Sequence, residues 1–192
     1  MKQLAYSDIN EQQLIDCRSQ HDFQGGHLKQ SLNLTASNFK KYATYYLDVD
    51  QPLVFIVGSK EEAELDNLSD SADDLGFNQV SGYIHVEDIP AEALETLGTT
   101  APKDFLSKED DYILLDVRHP DEITRPAPKK NLINIPFEDL ITDYCSLDSE
   151  KVIYTLCGSG GRSTAAASFL KAKGLNPHVI EGGMKAVQEL TD

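Results

Sequence analysis

The stretch Leu14-Ile-Asp-Cys-Arg-Ser-Gln-His-Asp-Phe23 returns further along the chain as Leu114-Leu-Asp-Val-Arg-His-Pro-Asp-Glu-Ile123. Asp16 matches Asp116, Arg18 matches Arg118, and Asp22 matches Glu122. The correspondence continues. Ser31-Leu-Asn-Leu34 pairs with Leu132-Ile-Asn-Ile135, Leu53-Val-Phe-Ile-Val57 with Val152-Ile-Tyr-Thr-Leu156, and Leu75-Gly-Phe-Asn78 with Lys173-Gly-Leu-Asn176. A repeat of domain size in 192 residues means two tandem copies of one small fold. Within each copy, short Val/Ile/Leu runs alternate with helical segments. Leu65, Leu68, Ala72 and Leu75 recur at spacings of three and four, the mark of one buried helix face. Continuous apolar strands with helices between them predict an α/β fold, a small parallel sheet covered by helices on both faces in each domain.

The second copy carries a sequence the first does not. Cys157-Gly-Ser-Gly-Gly-Arg162-Ser163 follows the β-type run Val152–Leu156 and precedes the helix-prone Ser163-Thr-Ala-Ala-Ala-Ser-Phe-Leu-Lys171. A thiol thus stands where a strand ends and a helix begins. In such a turn, successive backbone N–H groups converge on one small bowl. The helix start adds partial positive charge and Arg162 a full one, so the position favours a thiolate, or an anionic group carried by it.

Two further motifs accompany the loop. Asp116-Val-Arg118 ends the run Tyr112–Leu115, and Glu181-Gly-Gly-Met184 follows His178-Val-Ile180. Together and in this order they resemble the rhodanese family, sulfurtransferases whose active cysteine carries a persulfide. The resemblance implies two rhodanese-like domains of about five strands each. It also implies a catalytic Cys157, a substrate-binding loop of Gly158, Ser159, Gly160, Gly161, Arg162 and Ser163, and supporting roles for Asp116 and Arg118. Cysteine phosphatases use a loop one residue longer, Cys-x5-Arg; here the arginine is the fifth residue after Cys157. The loop departs from many of its kind in having Gly158 rather than a basic or bulky residue after the cysteine. The third motif runs Gly182-Gly-Met-Lys-Ala-Val187 without an aromatic.

In the first copy the place of Cys157 falls to Val57 or Gly58, and Ser59-Lys-Glu-Glu-Ala-Glu64 supplies neither thiol nor arginine. Its acids would repel an anion. The expected organisation is an inactive domain at 1–86, a linker at 87–101 with a short helix over Glu92–Leu97, and a catalytic domain at 102–192. Cys17 sits within the Asp16–Arg18 strand end and is expected to be packing.

The net charge is −15, which disfavours nucleic acid and anionic membrane surfaces as partners. The charge is uneven: residues 101–192 hold 11 Lys+Arg against 15 Asp+Glu, net −4, and the first hundred account for the rest. No apolar run approaches the roughly 18 residues of a membrane span. Cys17, Cys145 and Cys157 form no Cys-x-x-Cys pair and no His/Cys ligand spacing, so neither metal nor cofactor is expected, and a reducing, cytoplasmic setting is. The resulting expectation is a sulfurtransferase that moves sulfur from thiosulfate or a small persulfide to a thiol or cyanide acceptor. The alternative is a sulfur-sensing or protein-docking module with little turnover. Tandem halves of this size also resemble the tail of fusions headed by a metallo-β-lactamase-fold persulfide dioxygenase, which implies a partner enzyme in sulfide oxidation.

Overall fold

All five residues of Leu53–Val57 are fully buried, as are four of the five in Val152–Leu156. A strand buried on both faces needs cover on both faces, and the computed structural model supplies it twice. It describes residues 1–191, which fall into two units, Met1–Thr96 and the chain from Leu97 onward.

The first unit contains β1 (Gln13–Asp16), α1 (Gln20–Gly25), β2 (His27–Leu28), β3 (Leu32–Asn33), α2 (Ala36–Tyr46), β4 (Leu53–Val57), α3 (Leu65–Asp74), β5 (Val80–His85) and β6 (Leu94–Glu95). Its main sheet has the order β3-β1-β4-β5, all parallel. The expected fifth strand is reduced to a single bridge, Gln3 to Tyr83; Gly82 permits that approach, since a Cβ there would stand 2.2 Å from the carbonyl oxygen of Lys2. One face is covered by α2 and α3. Phe39 of α2 packs edge-on to Phe55, ring centroids 5.1 Å apart, and Leu68 and Ala72 of α3 are buried as their spacing predicts. The other face buries Val54, Ile56 and Ile84 against Leu4, Leu28 and Ile89, with Val86 and Ala93 from short 3-10 turns.

The second unit contains β7 (Gly98–Thr100), α4 (Pro102–Leu106), β8 (Tyr112–Asp116), β9 (Leu132–Asn134), α5 (Leu140–Asp143), β10 (Val152–Leu156), α6 (Gly161–Ala172), β11 (Asn176–Ile180) and α7 (Gly183–Thr191). Five parallel strands run in the order β7-β11-β10-β8-β9. Phe105 of α4 and Met184 and Val187 of α7 cover the face that carries Tyr112, Leu114, Tyr154, Leu156 and Ile180. α6 covers the other, and its small residues Ala165, Ala166 and Ala167 are all fully buried, which lets the helix lie close to the sheet. Each large apolar side chain buried here contributes roughly 1.5–3 kcal/mol.

The stretch 87–101 is not the linker its Gly, Thr and Pro content suggests. Glu92–Leu97 forms no α-helix: a 3-10 turn at Ala91–Ala93 leads into β6, which pairs antiparallel with β2. Immediately afterwards β7 joins the second sheet beside β11. Backbone pairing, absent from any composition argument, assigns these residues to the two domains.

Candidate active site

Cys157 is the first residue beyond the carboxyl end of β10, between parallel neighbours β8 and β11, where ligands bind in sheets of this kind. Its Sγ accepts the N–H of Gly160 at 3.2 Å and that of Ser163 at 3.4 Å. The Ser163 N–H is one of the first-turn donors that a helix cannot satisfy internally; here α6 gives it to sulfur. Ser163 Oγ lies 3.5 Å from Sγ and donates to the Gly160 carbonyl at 3.0 Å. Gly160 is the N-cap of α6 and takes φ 104°, a left-handed conformation that suits glycine, so the chain folds its own N–H back onto the sulfur. Ser163 lies inside the first turn, fully buried, and serves the sulfur. Sγ belongs to a residue only 2 % exposed, whereas beyond Gly158 there is open space and Ser159 is exposed.

The loop is held from behind by α7. Met184 N–H donates to the Cys157 carbonyl at 2.7 Å and Lys185 N–H to that of Gly158 at 3.0 Å. This approach requires glycine at 183. Its φ is 61°, and a Cβ there would stand 2.5 Å from the Cys157 carbonyl oxygen. The Gly-Gly-Met motif is therefore a backbone clamp on the cysteine loop.

Asp116 and Arg118 form a closed unit. Arg118 donates to Asp116 through Nε at 2.9 Å and through a terminal nitrogen at 2.7 Å, and it also donates to the Arg125 carbonyl at 3.1 Å. Asn134 Nδ2 bridges the carbonyls of Asp116 (2.8 Å) and Arg118 (2.9 Å). Neither charged side chain hydrogen-bonds Cys157. Their segment meets β10 through the backbone, Val117 N–H to the Leu156 carbonyl at 2.9 Å. The first domain repeats the arrangement with Asp16, Arg18, Asn33 and the Gly26 carbonyl.

Arg162 is placed differently from expectation. Its guanidinium, expected to face a donor, makes a two-pronged ion pair with Glu122: one nitrogen bonds Oε1, the other Oε2 at 2.8 Å. The hydrogen bonds from Arg162, with that of the His119 N–H and the Arg162 charge adding to them, hold the Glu122 carboxyl below its ordinary value. Glu122 also accepts the His119 N–H at 2.7 Å. Sequence reasoning passed over Glu122, Asn134 and Gly183 as site residues. The signals were present, since the repeat aligns Glu122 with Asp22 and Asn134 with Asn33.

Strand register gives the first domain's counterpart of Cys157. Asp16 faces Ile56 as Asp116 faces Leu156, so Val57 takes the cysteine's place. Gly58 N–H there donates to the carboxylate of Glu61 at 3.2 Å, and α3 begins only after a further 3-10 turn, Glu62–Glu64. Lys60 pairs with Asp22 at 3.4 Å. Cys17 is buried, and burial pushes its thiol well up from the ordinary range, with the charges of Asp16 and Glu61 adding to the effect. Cys145 is exposed. Among the described residues no group of His, Cys, Asp and Glu is placed to hold a metal ion, and no helix is long and apolar enough to cross a membrane.

The fold and site define a pair of parallel α/β domains, one of which presents a cysteine in a backbone N–H cradle. The rhodanese-like domain profile matches residues 2–84 and again 102–190, and the chain belongs to that family. It is 28 % identical over 162 residues to a tRNA sulfurtransferase of Pectobacterium carotovorum subsp. carotovorum (strain PC1), covering 78 % of this chain but 31 % of that protein. Among solved structures, a rhodanese-related protein of Thermoplasma volcanium is 33 % identical, with a TM-score of 0.46 over 48 % of this chain and 92 % of its own. A thiosulfate sulfurtransferase of Pseudomonas aeruginosa aligns with 100 % of this chain and 43 % of its own, at 16 % identity and a TM-score of 0.43. The chain thus spans about a third of the length of that tRNA sulfurtransferase.

Proposed function

We propose that this protein is a sulfurtransferase that works through a persulfide on Cys157, with the first domain taking no part in the chemistry. The observation that carries this reading is the pair of backbone N–H groups, from Gly160 and Ser163, aimed at Cys157 Sγ at the start of a twelve-residue helix. The Cys157 thiolate attacks the outer sulfur of a donor. With thiosulfate, the S–S bond breaks and sulfite leaves with the electron pair. With an organic persulfide RSSH, the leaving group is the thiolate RS⁻ and the proton stays on the transferred sulfur or passes to water. An acceptor thiolate or cyanide then takes the outer sulfur and restores Cys157. This is covalent catalysis in two half-reactions, with ping-pong kinetics. The N–H groups of the Cys157–Arg162 loop and the α6 dipole hold the anionic sulfur in both halves. The Ser163 hydroxyl can turn from the Gly160 carbonyl to donate to the sulfur once it is ionised.

Intact mass after incubation with thiosulfate or with glutathione persulfide tests the reading. The wild-type protein gains one sulfur. Cys157→Ser gains none and transfers none, whereas Cys17→Ser and Cys145→Ser retain most activity, because Cys17 is buried away from any donor and Cys145 lies in no cradle. Loss in Cys145→Ser with retention in Cys157→Ser would overturn the assignment. Slow turnover with full loading would favour a sulfur-sensing role instead.

A further inference from the structure

Which donor Cys157 accepts depends on the charges at its mouth. The guanidiniums of Arg118 and Arg162 stand at this end of the sheet, and a carboxylate of the same domain holds each. Arg118 is bound by Asp116 and the Arg125 carbonyl, and Arg162 is gripped on two prongs by Glu122. The Arg162 and Glu122 side chains are 19 % and 40 % exposed, so the pair lies at the rim of the site. Between Cys157 and Arg162 the loop is Gly158-Ser-Gly-Gly161, without charge. His119 leans on Asp121, with Nδ1 3.4 Å from its carboxylate.

Thiolate plus thiosulfate brings three negative charges together; thiolate plus glutathione persulfide with its S–S–H protonated, whose two carboxylates outnumber its one ammonium, brings a net two. A helix N-terminus offsets only about half a charge. With Arg162 neutralised, the thiosulfate encounter keeps an unbalanced charge of about −2.5 and the glutathione persulfide encounter about −1.5.

We propose that Glu122, by binding and neutralising Arg162, sets the donor class, so that Cys157 takes sulfur from organic persulfides and discriminates against the thiosulfate dianion. Glu122 is a positioning residue, acting through Arg162. The inference rests on the reading of Cys157 as the sulfur acceptor.

The test compares the loading kinetics of Cys157 with thiosulfate and with glutathione persulfide in the full chain. Wild type is expected to load from the persulfide with much the higher kcat/KM. Glu122→Gln keeps an oxygen for the His119 N–H and removes the charge. It should raise kcat/KM for thiosulfate about tenfold relative to the persulfide, mainly through KM. Glu122→Asp keeps the charge and should keep the wild-type donor ratio. In wild type, added inert salt should shift the ratio toward thiosulfate, a readout that needs no variant. Equal loading of wild type by both donors, or a donor ratio indifferent to both Glu122→Gln and salt, would overturn the proposal while leaving Cys157 as the acceptor. Failure of both donors to load wild type would sink the sulfurtransferase reading itself, and this inference with it.

Discussion

Asp116 and Arg118 are two residues apart on an extended segment, close enough for one carboxylate to take two guanidinium nitrogens and the Arg118 backbone N–H at 3.1 Å. Both side chains are nearly inaccessible, 2 % and 7 % exposed. Such a pair adds little when intact, but breaking it leaves an uncompensated buried charge. Asp116→Asn should therefore cost the second domain about 3–5 kcal/mol in denaturant melts. Folded molecules of the variant should still load sulfur, since neither side chain hydrogen-bonds Cys157. A loss below about 1 kcal/mol, the range of an exposed pair, would show that the pair is not the strut the geometry describes. The duplicate at Asp16 and Arg18 supports this reading, because the first domain keeps the strut although Val57 stands where the cysteine would be.

At the scale of elements, the cysteine loop is held between two helix N-termini. α6 sends N–H groups to the sulfur, while α7 sends N–H groups to the carbonyls of Cys157 and Gly158. Gly183→Ala tests the second grip. It adds a Cβ 2.5 Å from the Cys157 carbonyl oxygen at a φ of 61°, and neither the clash nor the strain relaxes without moving the loop. The expected result is a domain destabilised by about 1–3 kcal/mol and sulfur loading reduced at least tenfold in the folded fraction. Gly158→Ala is the control, as its Cβ meets nothing within 4 Å. Equal loading by the two variants would dismiss the clamp. Much of the site was legible because its parts are local in sequence: strand, cysteine, small residues, helix. The Arg162–Glu122 pair was not, because a lone arginine at a loop end carries no record of its partner 40 residues away. The helix begins at Gly161, two residues before the helix-prone run from Ser163. Gly160 caps the helix through its left-handed conformation, which the residue type permits without announcing.

For the whole molecule, the repeat made two domains legible, but the seam between them was set by pairing that composition conceals. Gly98-Thr-Thr100 is short, half-buried and polar, and nothing in it alternates or clusters like a strand. Yet it lies parallel to His178–Ile180, and its Thr100 carbonyl accepts the Glu181 N–H at 3.1 Å, one residue before the glycine turn that clamps the loop. Gly98 allows the approach, since a Cβ there would stand 2.9 Å from the His178 ring. Leu97, just ahead, is buried. A second domain expressed from Leu97 should therefore be more stable than one expressed from Pro102. Burial of Leu97 contributes about 1.5–3 kcal/mol, and each strand hydrogen bond about 0.5–1.5 kcal/mol more. A gap of at least roughly 2 kcal/mol in denaturant melts is expected, the low-end sum for Leu97 and a single strand hydrogen bond. The shorter piece keeps β10, α6 and α7, so it should still load sulfur on Cys157 below its melting range, with the loss confined to stability. Coincident melts would make β7 an ornament of the sheet edge and return residues 97–101 to the status of a tether. A stability gap accompanied by lost loading at low temperature would mean that β7 acts further inward, through Glu181 and the glycine turn, on the cysteine loop itself.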